Sequence, residues 1–302
     1  MTDQVEPSAP AAPKLEPDFV PEVEKPWLQT WRMFAKNRAA LFGLVLLSVI
    51  VGMAVLGPTL YPADPYDIVW APQSPPGTEG FILGTDYLGR DLLAGIIYGS
   101  RATLIVGAAA ALITIVIGIL VGALAGYYRG WVEELLMRIT EFFQVLPPLL
   151  LAMVLVLLFS PTLVTISIAI GVVSWTATAR LARAEFLRIR ELEYVKGARS
   201  IGARNSRIIW LVILPNAAPP LIVSAAFAVG IAILFEAGLS FLELNDPNIM
   251  SWGYMIGSNR PYVLESWWAV TFPGIAIFLT VLAVSLIGDG LNDALNPRLR
   301  QR

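Results

Sequence analysis

Residues 193–216 read EYVKGARSIGARNSRIIWLVILPN. Bases crowd the first half, Ile, Trp, Leu and Val fill the second, and Gly202 stands between them. The pattern predicts a short basic helix that stops at Gly202, because glycine accepts the left-handed conformation that ends a helix. A second helix then runs toward Pro215 and Pro219, with Asn205 or Ser206 expected to cap it by accepting from its free amides. Val195, Ala198 and Gly202 fall at steps of three and four, so they share one side of the first helix. That side is expected to let another protein approach closely.

The segments on either side decide what kind of molecule carries this turn. The chain is 56% hydrophobic and 15% charged, where a soluble domain holds about 25% charged residues. Six stretches reach the roughly 20 apolar residues that a bilayer requires. They are Ala39–Leu60, Ala102–Tyr127, Phe142–Ser160, Thr162–Ala179, Pro219–Leu242 and Trp267–Ile287. Only Ser160–Pro161 separates the third from the fourth. The expected fold is an all-α polytopic membrane protein with six transmembrane helices.

Charge sets the orientation, since Lys and Arg collect on the cytoplasmic side. With the N-terminus inside, the inner segments hold Lys14, Lys25, Arg32, Lys36, Arg38, Arg129, Arg138, every base from Arg180 to Arg207, and Arg298, Arg300 and Arg302. The outer segments hold Arg90, Arg101 and Arg260, a split of 18 against 3. Both termini are therefore expected in the cytoplasm.

The chain then divides as follows. Residues 1–25, with Pro7, Pro10, Pro13, Pro17 and Pro21 among scattered acids, read as a disordered cytoplasmic tail, and the lack of an apolar run there argues against a cleaved signal peptide. Residues 26–38 put Trp27, Leu28, Trp31 and Phe34 on one face, flanked by Arg32, Lys36 and Arg38. This suits an interfacial helix, and equally a plain helical start to the first span at 39–60. Residues 61–101 form an extracytoplasmic segment rich in Pro and Gly. Residues 102–302 hold the other five helices, with the cytoplasmic loop at 180–216. Gly118, Gly122 and Gly126 in the second span allow close helix approach, within the chain or between subunits.

The chain contains no Cys and no His, which excludes disulfides, thiolate metal sites and histidine bases. The nearest approach to a phosphate loop is Gly197, four residues, Gly202, but Ala203 and Arg204 follow where a P-loop needs Lys and Ser or Thr. No inverted repeat and no midplane charge pair marks an ion-coupled carrier. Composition leaves the basic run open to three further readings: a topology signal, a patch for anionic lipid, or a DNA-binding helix–turn–helix, the last opposed by its place between two spans.

The residues at 196–215 resemble the cytoplasmic coupling motif of ABC importer permeases, which runs Glu-Ala-Ala, three residues, Gly, nine residues, Ile, one residue, Leu-Pro. Ala198, Gly202, Val212, Leu214 and Pro215 stand at those spacings; Lys196 and Gly197 depart from it. Further stretches resemble the C-type permease subunits of dipeptide and oligopeptide importers. They are Leu83-Gly84-Thr85-Asp86 with Gly89-Arg90-Asp91, Glu236-Ala237 with Leu239-Ser240-Phe241-Leu242, Ser251-Trp252-Gly253, and Gly288-Asp289-Gly290-Leu291 with Asp293-Ala294-Leu295. Glu243 and Asn245 stand where that subgroup has glycines.

The resemblance implies one N-terminal helix plus a five-helix permease core in a bacterial inner membrane. It implies a heterodimer with a B-type permease, two ATPase subunits, an extracytoplasmic solute-binding protein, and a peptide as cargo. Nickel complexes, glutathione, opines or oligosaccharides are alternative cargoes of the same machine, and an ATP-independent carrier is a different class. No cofactor is expected in this chain, with ATP and Mg held by the ATPases, and no nucleic acid is expected as a partner. Glu193, Tyr194, Lys196, Gly197, Ala198, Arg199, Gly202, Ala203 and Arg204 would then meet the ATPase. Glu236, about 26 Å along the helix from Pro219, and Ser240 would serve an outer gate or the pathway, or else a structural hydrogen bond. Asp86, Arg90 and Asp91 would form an outer ion-pair turn or contact a partner. Asp289 and Asp293 would pair with Arg298 or the basic loop, or lie solvated.

Overall fold

A computed structural model describes residues 26–295, with side chains from residue 28. The tail at 1–25 and Arg298, Arg300 and Arg302 lie outside the described residues. The helices in chain order are α1 (Pro26–Lys36), α2 (Arg38–Leu60), α3 (Leu92–Tyr128), α4 (Gly130–Val145), α5 (Pro148–Phe159), α6 (Leu163–Ser174) and α7 (Thr176–Arg190). They continue as α8 (Glu193–Ser200), α9 (Asn205–Arg207), α10 (Leu214–Phe241), α11 (Trp252–Asn259) and α12 (Trp268–Leu295). A π-helical turn, Ile208–Ile213, welds α9 to α10 in one rod. Among the described residues there is no β-strand, only isolated bridges within the 61–91 loop and at its edge.

Helix ends follow local chemistry. Asn37 caps α2 by accepting from the amides of Ala39 and Ala40, so the 26–38 segment ends its first helix at Lys36. Asp91 caps α3 through Leu93, which starts that helix ten residues earlier than the apolar run from Ala102 suggests. Pro58 inside α2 supplies no N–H to the Ala54 carbonyl one turn back. Arg101 Nε donates to that carbonyl at 2.5 Å instead.

Among the described residues, α2, α3, the α9–α10 rod and α12 are each long and apolar enough to cross a membrane. Two bent pairs, α4 with α5 at 88° and α6 with α7 at 46°, bring the total to six if each pair is one span. The stretch Phe142–Ser160 is thus not one straight helix. Leu146 is extended before Pro147 (ψ 133°), as a residue preceding proline must be, and Pro148 opens α5.

The long α3 stands at the centre, against α2, α6, α7 and α10. Gly118, Gly122 and Gly126 face α7 of the same chain. A Cβ at Gly118 would sit 2.6 Å from Thr178 Cβ, one at Gly122 2.6 Å from Ala182 Cβ, and one at Gly126 2.7 Å from Phe186 Cβ. The α3–α7 seam is therefore closed to any side chain and lies inside the subunit. The first and last long helices also pair: Gly43 of α2 abuts Ala283 and Leu286 of α12, and Phe34 of α1 packs by Gly290. Asn37 Nδ2 donates to Asp293 at 3.2 Å, so Asp293 partners the start of α2.

Candidate functional site

The 191–216 segment caps one end of the bundle. Val195 is fully buried in a cluster with Tyr127, Phe186, Ile189, Ile208 and Ile213, and this apolar anchor fixes how α8 is rolled. The side carrying Val195 faces the bundle, not solvent, because burying valine is favourable by about 1.5–3 kcal/mol. Ala198 is half-buried beside it. The outward side instead presents Tyr194, Gly197 and Ile201, with Glu193, Lys196, Arg199 and Arg204 around them. Ile201 is 86% exposed at the tip.

Gly202 ends α8 as its sequence suggests, at φ +79°. Arg199 O accepts from Gly202 N at 3.0 Å, and Ala198 O accepts from Ala203 N at 3.1 Å. A Cβ at Gly202 would meet nothing within 4 Å, so glycine is demanded by the backbone angle and not by space. Lys196 reaches Glu193 at 3.5 Å and Glu191 at 4.0 Å. The base that replaces the motif's acid is thus ringed by two acids of its own chain.

The second helix is not capped by its own side chains. Asn205 Oδ1 accepts from Tyr127 Oη at 2.7 Å, which diverts it from the amides ahead. Tyr127, 4% exposed at the end of α3, is the hub here. The Arg190 and Arg199 guanidiniums lie over its ring at 5.8 and 5.6 Å, a cation–π arrangement, and Arg190 donates to its carbonyl. Sequence reasoning missed Tyr127. Its partners lie 63 to 78 residues away, and nothing in YYRGW marks one tyrosine over the other.

Beyond the turn, the register slips. Leu214 N donates to Ile209 O, five residues back, next to Pro215, which has no N–H to offer. Asn216 Nδ2 adds a side-chain bond to Val212 O at 2.7 Å. Leu-Pro-Asn is therefore a joint where the main-chain ladder changes register and loses a donor.

At the other end, Glu236 and Ser240 are 3% and 1% exposed. Glu236 Oε1 accepts from Ser240 Oγ at 2.9 Å and from Ser251 Oγ at 2.7 Å. Ser251 in turn accepts from Tyr254 N and caps α11. The carboxylate thus pins α11 against α10, where Gly253 and Gly257 leave room for Ser240 and Phe241. Trp252 Nε1 donates to Ile96 O of α3 at 2.9 Å, completing a three-way joint.

The 61–91 loop closes over this joint. Asp86 Oδ1 accepts from the amides of Leu88 and Arg90, each at 2.8 Å, and burial pushes its carboxyl above the usual carboxylate range against those bonds. Arg90 turns its guanidinium to Tyr254, with an Nη1–Oη distance of 3.4 Å, and over the Tyr66 ring at 5.5 Å. The turn is thus built on main-chain hydrogen bonds, not on an Asp86–Arg90–Asp91 ion pair. Asp91 Oδ2 accepts from Tyr61 Oη at 2.5 Å, and this bond helps push the Tyr61 hydroxyl up to about 12. Gly84 and Gly89, at φ +80° and +86°, sit hard against the Ser74 and Trp70 carbonyls.

The chain is similar to known proteins in sequence and in fold. Residues 118–301 match the family described as binding-protein-dependent transport system inner membrane component, and residues 25–76 match the N-terminal TM domain of oligopeptide transport permease C. The di/tripeptide transport system permease protein DppC of Pseudomonas aeruginosa is 40% identical over 296 residues, covering 96% of this chain and 97% of that one. The dipeptide permease DppC of Bacillus subtilis is 40% identical, covering 90% and 85%. The glutathione permease GsiD of Pectobacterium atrosepticum is 34% identical, covering 92% and 93%. Among solved structures, an inward-facing MetNI methionine ABC transporter chain superposes with a TM-score of 0.56 at 19% identity, covering 67% of this chain and 96% of that one.

Proposed function

Because the chain belongs to the family of binding-protein-dependent transport system inner membrane components, we propose that it is the C-type permease subunit of an ATP-driven ABC importer of di- and oligopeptides. The observation that carries this reading is the α8 turn: a polar knob seated on the ends of α3 and α7 through Val195 and Tyr127. A push on such a knob is delivered to spans rather than absorbed by a loose loop. Its exposed residues Glu193, Tyr194, Lys196, Gly197, Arg199, Gly202 and Arg204, with the half-buried Ala203 among them, form the surface offered to an ATPase.

In this reading both termini and the α8 turn face the cytoplasm, and the 61–91 loop with α11 faces outward, in a bacterial inner membrane. The subunit is non-catalytic. Two ATPase partners hold ATP and Mg, a B-type permease supplies the other half of the pathway, and an extracytoplasmic binding protein delivers the peptide. Closure of the ATPases draws the α8 turns together and shifts the spans between two packed arrangements. Glu236 and Ser240 serve the outer gate by holding α11 in place, while Asp86, Arg90 and Asp91 shape the loop that meets the binding protein.

The test is to purify the chain with its native companions, reconstitute it, and measure ATP hydrolysis with a peptide-loaded binding protein. Stimulation by peptide supports the reading. Stimulation by glutathione alone would keep the machine and change its cargo, and solute flux without ATP would refute it.

A further inference from the structure

A cavity of about 380 Å³ opens between α3, the α6–α7 bend and α10. Its polar lining is four hydroxyls: Thr114, Ser174, Thr178 and Ser224. Thr114 lies 13 residues from Arg101 and 14 from Tyr128 along α3, so about 20 Å from each at 1.5 Å per residue. That is the middle of the apolar layer.

Several hydroxyls in the spans are satisfied by their own helix. Ser48, Thr140, Ser167 and Thr280 each donate to the carbonyl one turn back at 2.7–2.8 Å. The cavity hydroxyls are not. Thr114 Oγ1 stands 3.4 Å from Gly171 O, and Thr178 Oγ1 stands 3.4 Å from Ser224 Oγ. Both are stretched beyond the usual range for hydroxyl donors. Ser174 Oγ is buried with no partner. Unsatisfied hydroxyls in an apolar layer are costly. Here they cluster where α6 and α7 part by 46°, and such broken backbone at membrane depth belongs against protein or a watery cavity.

We propose that this cavity is a water-accessible transit subsite for the uncharged amide backbone of the cargo. A hydroxyl both donates and accepts, so the set can serve an N–H or a C=O whatever side chain follows. None of the lining residues carries a charge, so a peptide's charged ends find no counter-ion there and only an interior amide is held, in passing. The inference rests on the peptide reading above.

The chain has no native cysteine, which allows single-cysteine scanning in the intact transporter with cysteines removed from its partners. Ser174→Cys and Ser224→Cys would be treated with a charged, membrane-impermeant methanethiosulfonate, beside Phe278→Cys at an exposed apolar position of α12. Labelling of both cavity positions but not of Phe278→Cys, slowed by saturating peptide with loaded binding protein, and loss of uptake on labelling, is the expected result. Absence of labelling both without nucleotide and in a nucleotide-trapped state overturns the proposal, since the hydroxyls are then interhelical contacts only. Labelling indifferent to peptide overturns the backbone subsite. Thr178→Val with Ser224→Ala, which adds no reactive group, is expected to lower uptake without lowering abundance, and unchanged uptake counts against the proposal. Failure of wild-type peptide uptake refutes the cargo reading instead, and the labelling still reports on access.

Discussion

The two sides of the α8 turn are built to opposite rules. Toward α3 and α7 everything is closed: three glycines press against Thr178, Ala182 and Phe186, and Tyr127 is held by Asn205, Arg190 and Arg199. Toward α10 the rod is packed at its start, with Ile208 and Ile213 fully buried, but its main-chain ladder is interrupted. The register slips at Ile208–Ile213, Pro215, Pro219 and Pro220 remove donors, and a cavity separates the rod from the α6–α7 bend. In the proposed coupling, a turn clamped to one pair of helices and jointed to another would convert one push into relative motion. The clamp alone moves the subunit as a block, and the joint alone loses the displacement.

Substitutions at five positions probe this contrast and the outer joint. Gly122→Leu breaks the closed side, since even a Cβ there meets Ala182 at 2.6 Å and Arg183 N at 2.8 Å. Overpacking of this kind costs about 1–3 kcal/mol or more, and the expected outcome is loss of folded protein, seen as low membrane abundance and a lowered melting temperature in detergent. Normal abundance would mean the seam is slack. Gly202→Pro should leave insertion intact but abolish uptake, because φ +79° is unavailable to proline; uptake at the wild-type level would dismiss the turn as a coupling element.

Pro215→Ala stiffens the open side by restoring an N–H to the rod. Uptake is expected to fall several-fold while thermal stability holds or rises by about 0.5–1 kcal/mol. A loss of stability instead would show that the π turn is held by packing and not by the proline. Tyr127→Phe keeps the ring between its two guanidiniums and removes only the bond to Asn205, an expected cost of about 1 kcal/mol. Its signature is more ATP hydrolysed per peptide moved, and an unchanged ratio would confine Tyr127 to folding. Glu236→Gln retains an acceptor for Ser240 and Ser251, so uptake should stay near wild type, whereas Glu236→Leu strands both hydroxyls and should reduce it. Equal losses in both variants would point to the charge itself.

Much of this was legible from residues alone. Long apolar runs located the spans, and the glycine that ends α8 announced its own backbone angle. Legibility failed where distant segments decide the outcome. The roll of α8 depends on a pocket made by Tyr127, Phe186 and Ile208, so spacing alone placed Val195 on the wrong side. Local sequence offers Asn205 or Ser206 as a cap, but Asn205 is engaged by a tyrosine 78 residues away. Arg90 was paired with nearby acids because Tyr254 is invisible from the local sequence. The early start of α3 turned on Asp91 serving as a cap, which also draws in Tyr61.

The pairing of α1 and α2 with α12 has a consequence for how the protein is made. Gly43 waits for Ala283 and Leu286, and Asn37 waits for Asp293. At roughly 5–20 residues per second, the ribosome needs tens of seconds between releasing the first span and its last partner. Through that interval the Gly43 face of α2 lacks the α12 partner it has in the finished fold. Closure of this seam must therefore wait until α12 has been made.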